Sequence, residues 1–171
     1  LPAGGTVSFE LSGDTPARSV GATRWKFPEP DSTMVESRAV EALRATLESS
    51  VRDHLVSDVP VGVFLSSGID STIVASLAAR HTARLRTFTV GFADEPDLSE
   101  APLTRRTAAD LGVDHTEVQV TADEALAATR SWLDALDQPS MDGLNIFLIS
   151  RAVRARGIVV ALSGQGGDEL F

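Results

Sequence analysis

The 171-residue sequence contains no cysteine, which excludes a disulfide, a thiolate metal site and a cysteine nucleophile within it. Lysine is nearly absent as well. Lys26 stands alone, and no G-x-x-x-x-G-K-[ST] phosphate loop occurs. No G-x-G-x-x-G follows a strand-like stretch, so the dinucleotide fingerprint is missing too. Long apolar runs are also lacking. "IVVAL" at 158–162 is strand-sized, well short of the ~18 residues a membrane span needs, and no signal-peptide pattern opens the chain. Positive charge is scarce: 15 Lys and Arg against 24 Asp and Glu give a net charge of −9. That balance argues against nucleic acid or an anionic membrane as partner, and the expected location is cytoplasmic. It leaves room for one anionic ligand, because backbone N–H groups and a metal ion can hold phosphate.

Apolar residues make up 43% of the chain and charged residues 23%, enough to bury a core. The chain begins at Leu1 and stops at Phe171, just after "GGDEL". It reads as a piece of a longer protein. Residues 1–30 are rich in Gly, Pro, Ser and Thr and alternate around Val7 and Phe9. They predict a hairpin or two edge strands and then a linker at Pro28–Pro30, the end of a preceding domain. Residues 31–171 form the second expected domain.

From Met34 to Leu55 the residues Val40, Leu43, Leu47, Val51 and Leu55 make one helical stripe, closed off by Pro60. Strands and helices then alternate. Strands are predicted at 61–65, 85–92, 115–120 and 158–162. Between them, helices are read through Ile69, Ile73 and Leu77, over 99–111 up to Gly112, through Leu126, Leu133 and Leu136, and over 145–156 up to Gly157. Thr121 and Glu124 have the spacing of a capping box. Continuous apolar strands alternating with helices predict an α/β fold, a doubly wound parallel sheet covered on both faces. In such sheets ligands sit beyond the carboxyl ends of strands, where the strand order reverses.

Two corners at strand ends are rich in Gly and Ser. "SSGIDS" (66–71) exposes backbone N–H groups and feeds the positive end of a helix, a ready anion site. Asp70 beside a phosphate calls for a Mg²⁺ ion between them, since that ion binds one or two carboxylates plus phosphate oxygens. The plainer alternative stays open: Asp70 and Ser71 start helices well, and the corner is then only a cap. "SGQGGDEL" (163–170) offers Gly164, Gly166 and Gly167 with Asp168 and Glu169, or else a solvated loop. If the two strands are neighbours, both corners face one cleft sized for a Mg–nucleotide polyphosphate. The histidines His54, His81 and His115 are scattered without ligand spacing. His81 near a helix end reads as a surface or dipole partner, and Trp25 and Trp132 as packing residues.

"SSGIDS" resembles the S-G-G-x-D-S signature of the asparagine synthetase family, a branch of the PP-loop ATP pyrophosphatases, whose fold is adenine nucleotide alpha hydrolase-like. "GQGGDELF" (164–171) resembles the family's second signature, G-[ED]-G-[SAG]-D-E-[LV]-F, and "TFTVGF" (87–92) its second strand. The resemblance covers roughly residues 30–171, with 1–30 similar to the end of a glutaminase domain, and it implies a synthetase domain truncated at the C-terminus. It implies ATP and Mg²⁺ as cofactors, with Ser66, Ser67, Gly68, Asp70 and Ser71 on the departing pyrophosphate and Asp70 and Asp168 on the metal. Phe64, Val90, Ser163 and Gly164 would line the adenosine pocket. The implied reaction adenylates a small carboxylate, after which an amine, often ammonia from an upstream glutaminase domain, displaces AMP. A homodimer is allowed for.

Three departures matter. Ser67 replaces a motif glycine but keeps its N–H. Gln165 stands where asparagine-forming members carry an acid that handles the amine's proton, and glutamine cannot accept one at neutral pH. Asp142 lies near where aspartate-using members place an arginine, so the acyl substrate is expected to differ from aspartate. Alternatives are an intramolecular amide-forming relative, of β-lactam synthetase or peptide cyclase type, and a degenerate nucleotide-binding module. The fragment alone is expected to be inactive.

Overall fold

The computed structural model describes residues 4–10, 18–26, 29, 32–94, 99–140 and 143–168. The chain divides into two compact units, Leu1–Glu41 and Ala42–Phe171. In the first, β1 (Gly5–Glu10) and β2 (Arg18–Arg24) pair antiparallel, with a register irregularity between Ser8 and Phe9. The helix α1 (Glu36–His54) follows and runs into the second unit.

In the second unit four parallel strands alternate with helices. They are β3 (Val61–Phe64), α2 (Ile69–His81), β4 (Arg86–Phe92), α3 (Ala101–Leu111), β5 (Asp114–Val120), α4 (Ala122–Ala135), α5 (Gly143–Ala155) and β6 (Val160–Leu162). The expected elements are thus present, with the last strand shorter than read. Helix ends follow local chemistry. Gly112 closes α3 at φ 66° and donates back to Ala108 and Ala109. Thr121 and Glu124 form the capping box at α4: the Thr121 hydroxyl accepts from Glu124 N, and the Glu124 carboxylate accepts from Thr121 N.

The strand order is β5-β4-β3-β6, all pairs parallel. The chain moves outward from β3 through β4 to β5, then crosses back to lay β6 on the other side of β3. That reversal makes β3/β6 the switch point of the sheet. The two faces of the sheet bury different residues. Val63 and Leu65 pack with Leu47 and Val51 of α1, Ala75 and Ala78 of α2 and Ala108 of α3. Phe64, Phe88 and Val90 pack with Ile149 and Val153 of α5, and Val118 and Val120 with Ala128 of α4. Helices therefore cover both faces, as the apolar strands require.

Two helical stripes differ from expectation. Helix α2 buries Ser71, Ala75, Leu77 and Ala78, while Ile69 is 78% exposed. In α4 the buried residue is Ala128, and Leu126 and Leu133 face outward. The buried face of each helix is thus marked mainly by alanine rather than by the largest apolar residues.

Candidate active site

The corner after β3 folds on its own hydroxyls. Ser71 Oγ accepts from Ser66 N at 3.0 Å and lies 2.7 Å from Ser66 Oγ, and Ser66 Oγ accepts from Gly68 N at 3.2 Å. Both serines thus brace the loop. Gly68 is the N-cap of α2 and carries no side chain to cap it. Asp70 and Ser71 lie inside the first turn, so neither provides the cap that the plainer alternative needed.

The corner after β6 passes directly over this first turn. A side chain at Gly164 would place its Cβ 2.6 Å from Ser71 N and 2.9 Å from Asp70 Cβ. At Gly167 a Cβ would fall on the Asp70 carboxylate itself. Gly166, at φ 95°, turns the loop between them in a conformation that suits glycine. Gly164 and Gly167 are bare because the first corner occupies the space a side chain would need.

Together the two corners wall a cleft of about 840 Å³. Phe64, Ser66, Gly68, Asp70, Ser71, Val90, Ser163, Gly164, Gln165 and Asp168 all line it. Ser67 is the one candidate residue outside the lining. Its N–H donates to the Glu100 carboxylate at 2.8 Å, and Glu100 does line the cleft. Apolar walls come from Phe64, Phe88 and Val90 with Ile146 and Ile149 of α5. Phe88, Phe92, Glu100, Asn145, Ile146 and Ile149 were not singled out by sequence. Glu100 lies eight residues beyond the end of β4, so the rule that ligands collect after strand ends points at it in retrospect. Asp142 and Glu169 lie outside the described residues.

Among the described residues no group of three or more His, Cys, Asp or Glu side chains could cage a metal. Two carboxylates, Asp70 and Asp168, share the cleft with a glycine-lined backbone. That donor set fits Mg²⁺ carried in with phosphate, because the ion keeps few protein ligands and takes the rest from phosphate and water.

The histidines stand apart from the cleft lining. His81 Nε2 lies 3.4 Å from the Glu48 carboxylate. His115 pairs through Nδ1 with Thr87 Oγ1 at 2.9 Å, and burial lowers its pKa below the ordinary 6.5. Trp132 is half-buried and its indole N–H has no hydrogen-bond partner.

The fold and the cleft define an α/β protein with a glycine-lined cleft at the carboxyl ends of a parallel sheet's central strands. Residues 42–171 match the asparagine synthase family profile, and the chain belongs to that family. A putative glutamine-hydrolysing asparagine synthetase of Mycobacterium tuberculosis H37Rv is 44% identical over 133 residues, covering 77% of this chain and 20% of that one. Asparagine synthetase B of Escherichia coli K12 is 36% identical over 147 residues, covering 75% of this chain and 26% of its own. The chain thus spans about a quarter or less of these relatives' length. Among solved structures, NMN synthetase from Francisella tularensis aligns at TM-score 0.49 and 16% identity, covering 70% of this chain and 52% of that one. Among the described residues no helix is long and apolar enough to cross a membrane.

Proposed function

We propose that this chain carries the nucleotide-binding core of an ATP-dependent, AMP- and pyrophosphate-forming amide ligase. The observation that carries the reading is the packing of Gly164 and Gly167 against Ser71 and Asp70. It joins two exposed-backbone corners and two carboxylates in one cleft at the switch point. The polar end suits a polyphosphate, and the apolar wall of Phe64, Phe88 and Val90 suits an adenine ring. Asp70 and Asp168 would hold Mg²⁺, which offsets repulsion between these carboxylates and the phosphates.

In the reaction, a carboxylate oxygen attacks the α-phosphorus and the bond to the β-phosphate oxygen breaks, releasing pyrophosphate. An amine then adds to the acyl carbon, gives up a proton, and AMP leaves. The N–H groups of the first turn of α2, which have no partner within the helix, would meet the charge that grows on the leaving pyrophosphate, and such preorganised donors are the usual large electrostatic term. Ammonia as the amine, an upstream glutaminase domain ending in residues 1–30, a cytoplasmic location and a homodimer belong to the same proposal. So does the lack of turnover by this chain alone.

Gln165 favours a second reading within this chemistry. It lines the cleft but cannot take the amine's proton. An intramolecular amine, activated elsewhere in the longer protein, fits that neutral position. Calorimetric titration of Mg–ATP into the wild type, Asp70→Asn and Asp168→Asn tests the core proposal. Saturable binding should weaken about tenfold or more in each variant. A wild type that shows no binding at millimolar Mg–ATP sinks it.

A further inference from the structure

We propose that Glu100 is a resident competitor for the phosphate cradle, so that a polyphosphate binds by exchange with its carboxylate. The inference rests on the phosphate reading of the cleft given above. Glu100 is the N-cap residue of α3, yet its side chain makes no capping hydrogen bond there. Instead it reaches across to the corner after β3 and accepts the Ser67 N–H at 2.8 Å. Neighbouring N–H groups of that corner, those of Ser66 and Gly68, are held by neutral hydroxyls of the loop itself. Ser67 N–H alone among these three is held by an acid.

A carboxylate oxygen and a phosphate oxygen are the same kind of acceptor, and charge-assisted bonds to either are strong. Both cannot share one N–H, because two anions at that range repel. Glu100 is also tethered, which gives it an effective concentration in the millimolar range or above. A small anion offering one contact therefore loses to it. A polyphosphate that also takes N–H groups of the first turn of α2, which have no partner within the helix, displaces it. On this account Glu100 lowers the affinity of the cradle for every anion that needs the Ser67 N–H, so that only an anion with several contacts still binds.

The test is calorimetric titration of sodium pyrophosphate and of inorganic phosphate, both without metal, into the wild type, Glu100→Ala and Glu100→Gln. Glu100 is exposed and its side chain caps nothing in α3, so both variants should fold, which circular dichroism checks. Glu100→Ala should bind pyrophosphate about tenfold tighter, with a smaller gain in Glu100→Gln, whose amide oxygen still accepts. Inorganic phosphate should gain by a similar factor, since Glu100 competes with any anion that needs the Ser67 N–H. The Ser67 amide resonance should move in the variants, and in the wild type on adding pyrophosphate. Saturable wild-type binding with equal or weaker binding in Glu100→Ala overturns the inference and leaves the phosphate reading standing, with Glu100 then a brace for the loop. Binding in none of the three proteins removes the phosphate reading and this inference with it.

Discussion

A single methyl group at Gly167 would land on the Asp70 carboxylate. Gly167→Ala should therefore act through Asp70, turning that carboxylate out of place or pushing the second corner away from α2. We expect Mg–ATP affinity to fall about tenfold or more, as in Asp70→Asn. Thermal unfolding checks that the fold survives, and unchanged affinity would mean the two corners are not held together as described. Asp70 was marked in the sequence as part of the first corner, and it lies in the first turn of α2 on the cleft. The need for glycine at 164 and 167 was only half legible. Composition marked these positions as bare, but the reason is a neighbour almost a hundred residues earlier. Glu100 left no mark at all, since an acid at a helix start is ordinary until its side chain is seen to serve another loop.

At the scale of elements, the pairing of β4 with β5 makes a testable pH dependence. Thr87 and His115 are direct partners in the parallel ladder. Thr87 is fully buried, and the imidazole has one nitrogen on its hydroxyl and the other buried without a partner. Desolvation by burial lowers the pKa of His115 below 6.5; Arg105 adds to this, and Glu117 and Asp114 oppose it. The unfolded chain therefore takes the proton first as pH falls. The stability tied to neutral His115 is present above 6.5 and is lost as pH drops through the lowered value. Urea unfolding from about pH 7 to 5 should show a shallower loss in His115→Gln than in the wild type. An equal slope would assign the acid sensitivity to other groups.

Elements were more legible than their faces. Caps at Gly112 and Thr121 and the alternation of strands and helices follow from local chemistry. The buried faces of α2 and α4 do not, because they are carried largely by Ala75, Ala78 and Ala128. Periodicity of large apolar residues points instead at Ile69 and Leu126, which face outward.

For the whole molecule, the decisive fact is the order β5-β4-β3-β6. Sequence marks both corners but cannot say that β6 returns to lie beside β3, because nothing local distinguishes that placement from an outer edge. The return brings residues 66–71 and 163–168 to one cleft, and among the described residues those lining that cleft lie in the unit Ala42–Phe171. The hairpin of β1 and β2 supplies none of them. Deleting residues 1–35 removes the hairpin and keeps α1 whole from Glu36, so Leu47 and Val51 remain to cover Val63 and Leu65. We expect the shortened chain to fold and to bind Mg–ATP within about twofold of the full chain, a difference of about 0.4 kcal/mol. Calorimetry on the two chains side by side decides it. A loss of tenfold or more with the fold intact would mean the first 35 residues contribute to the site, and the cleft could no longer be treated as the property of the parallel sheet alone.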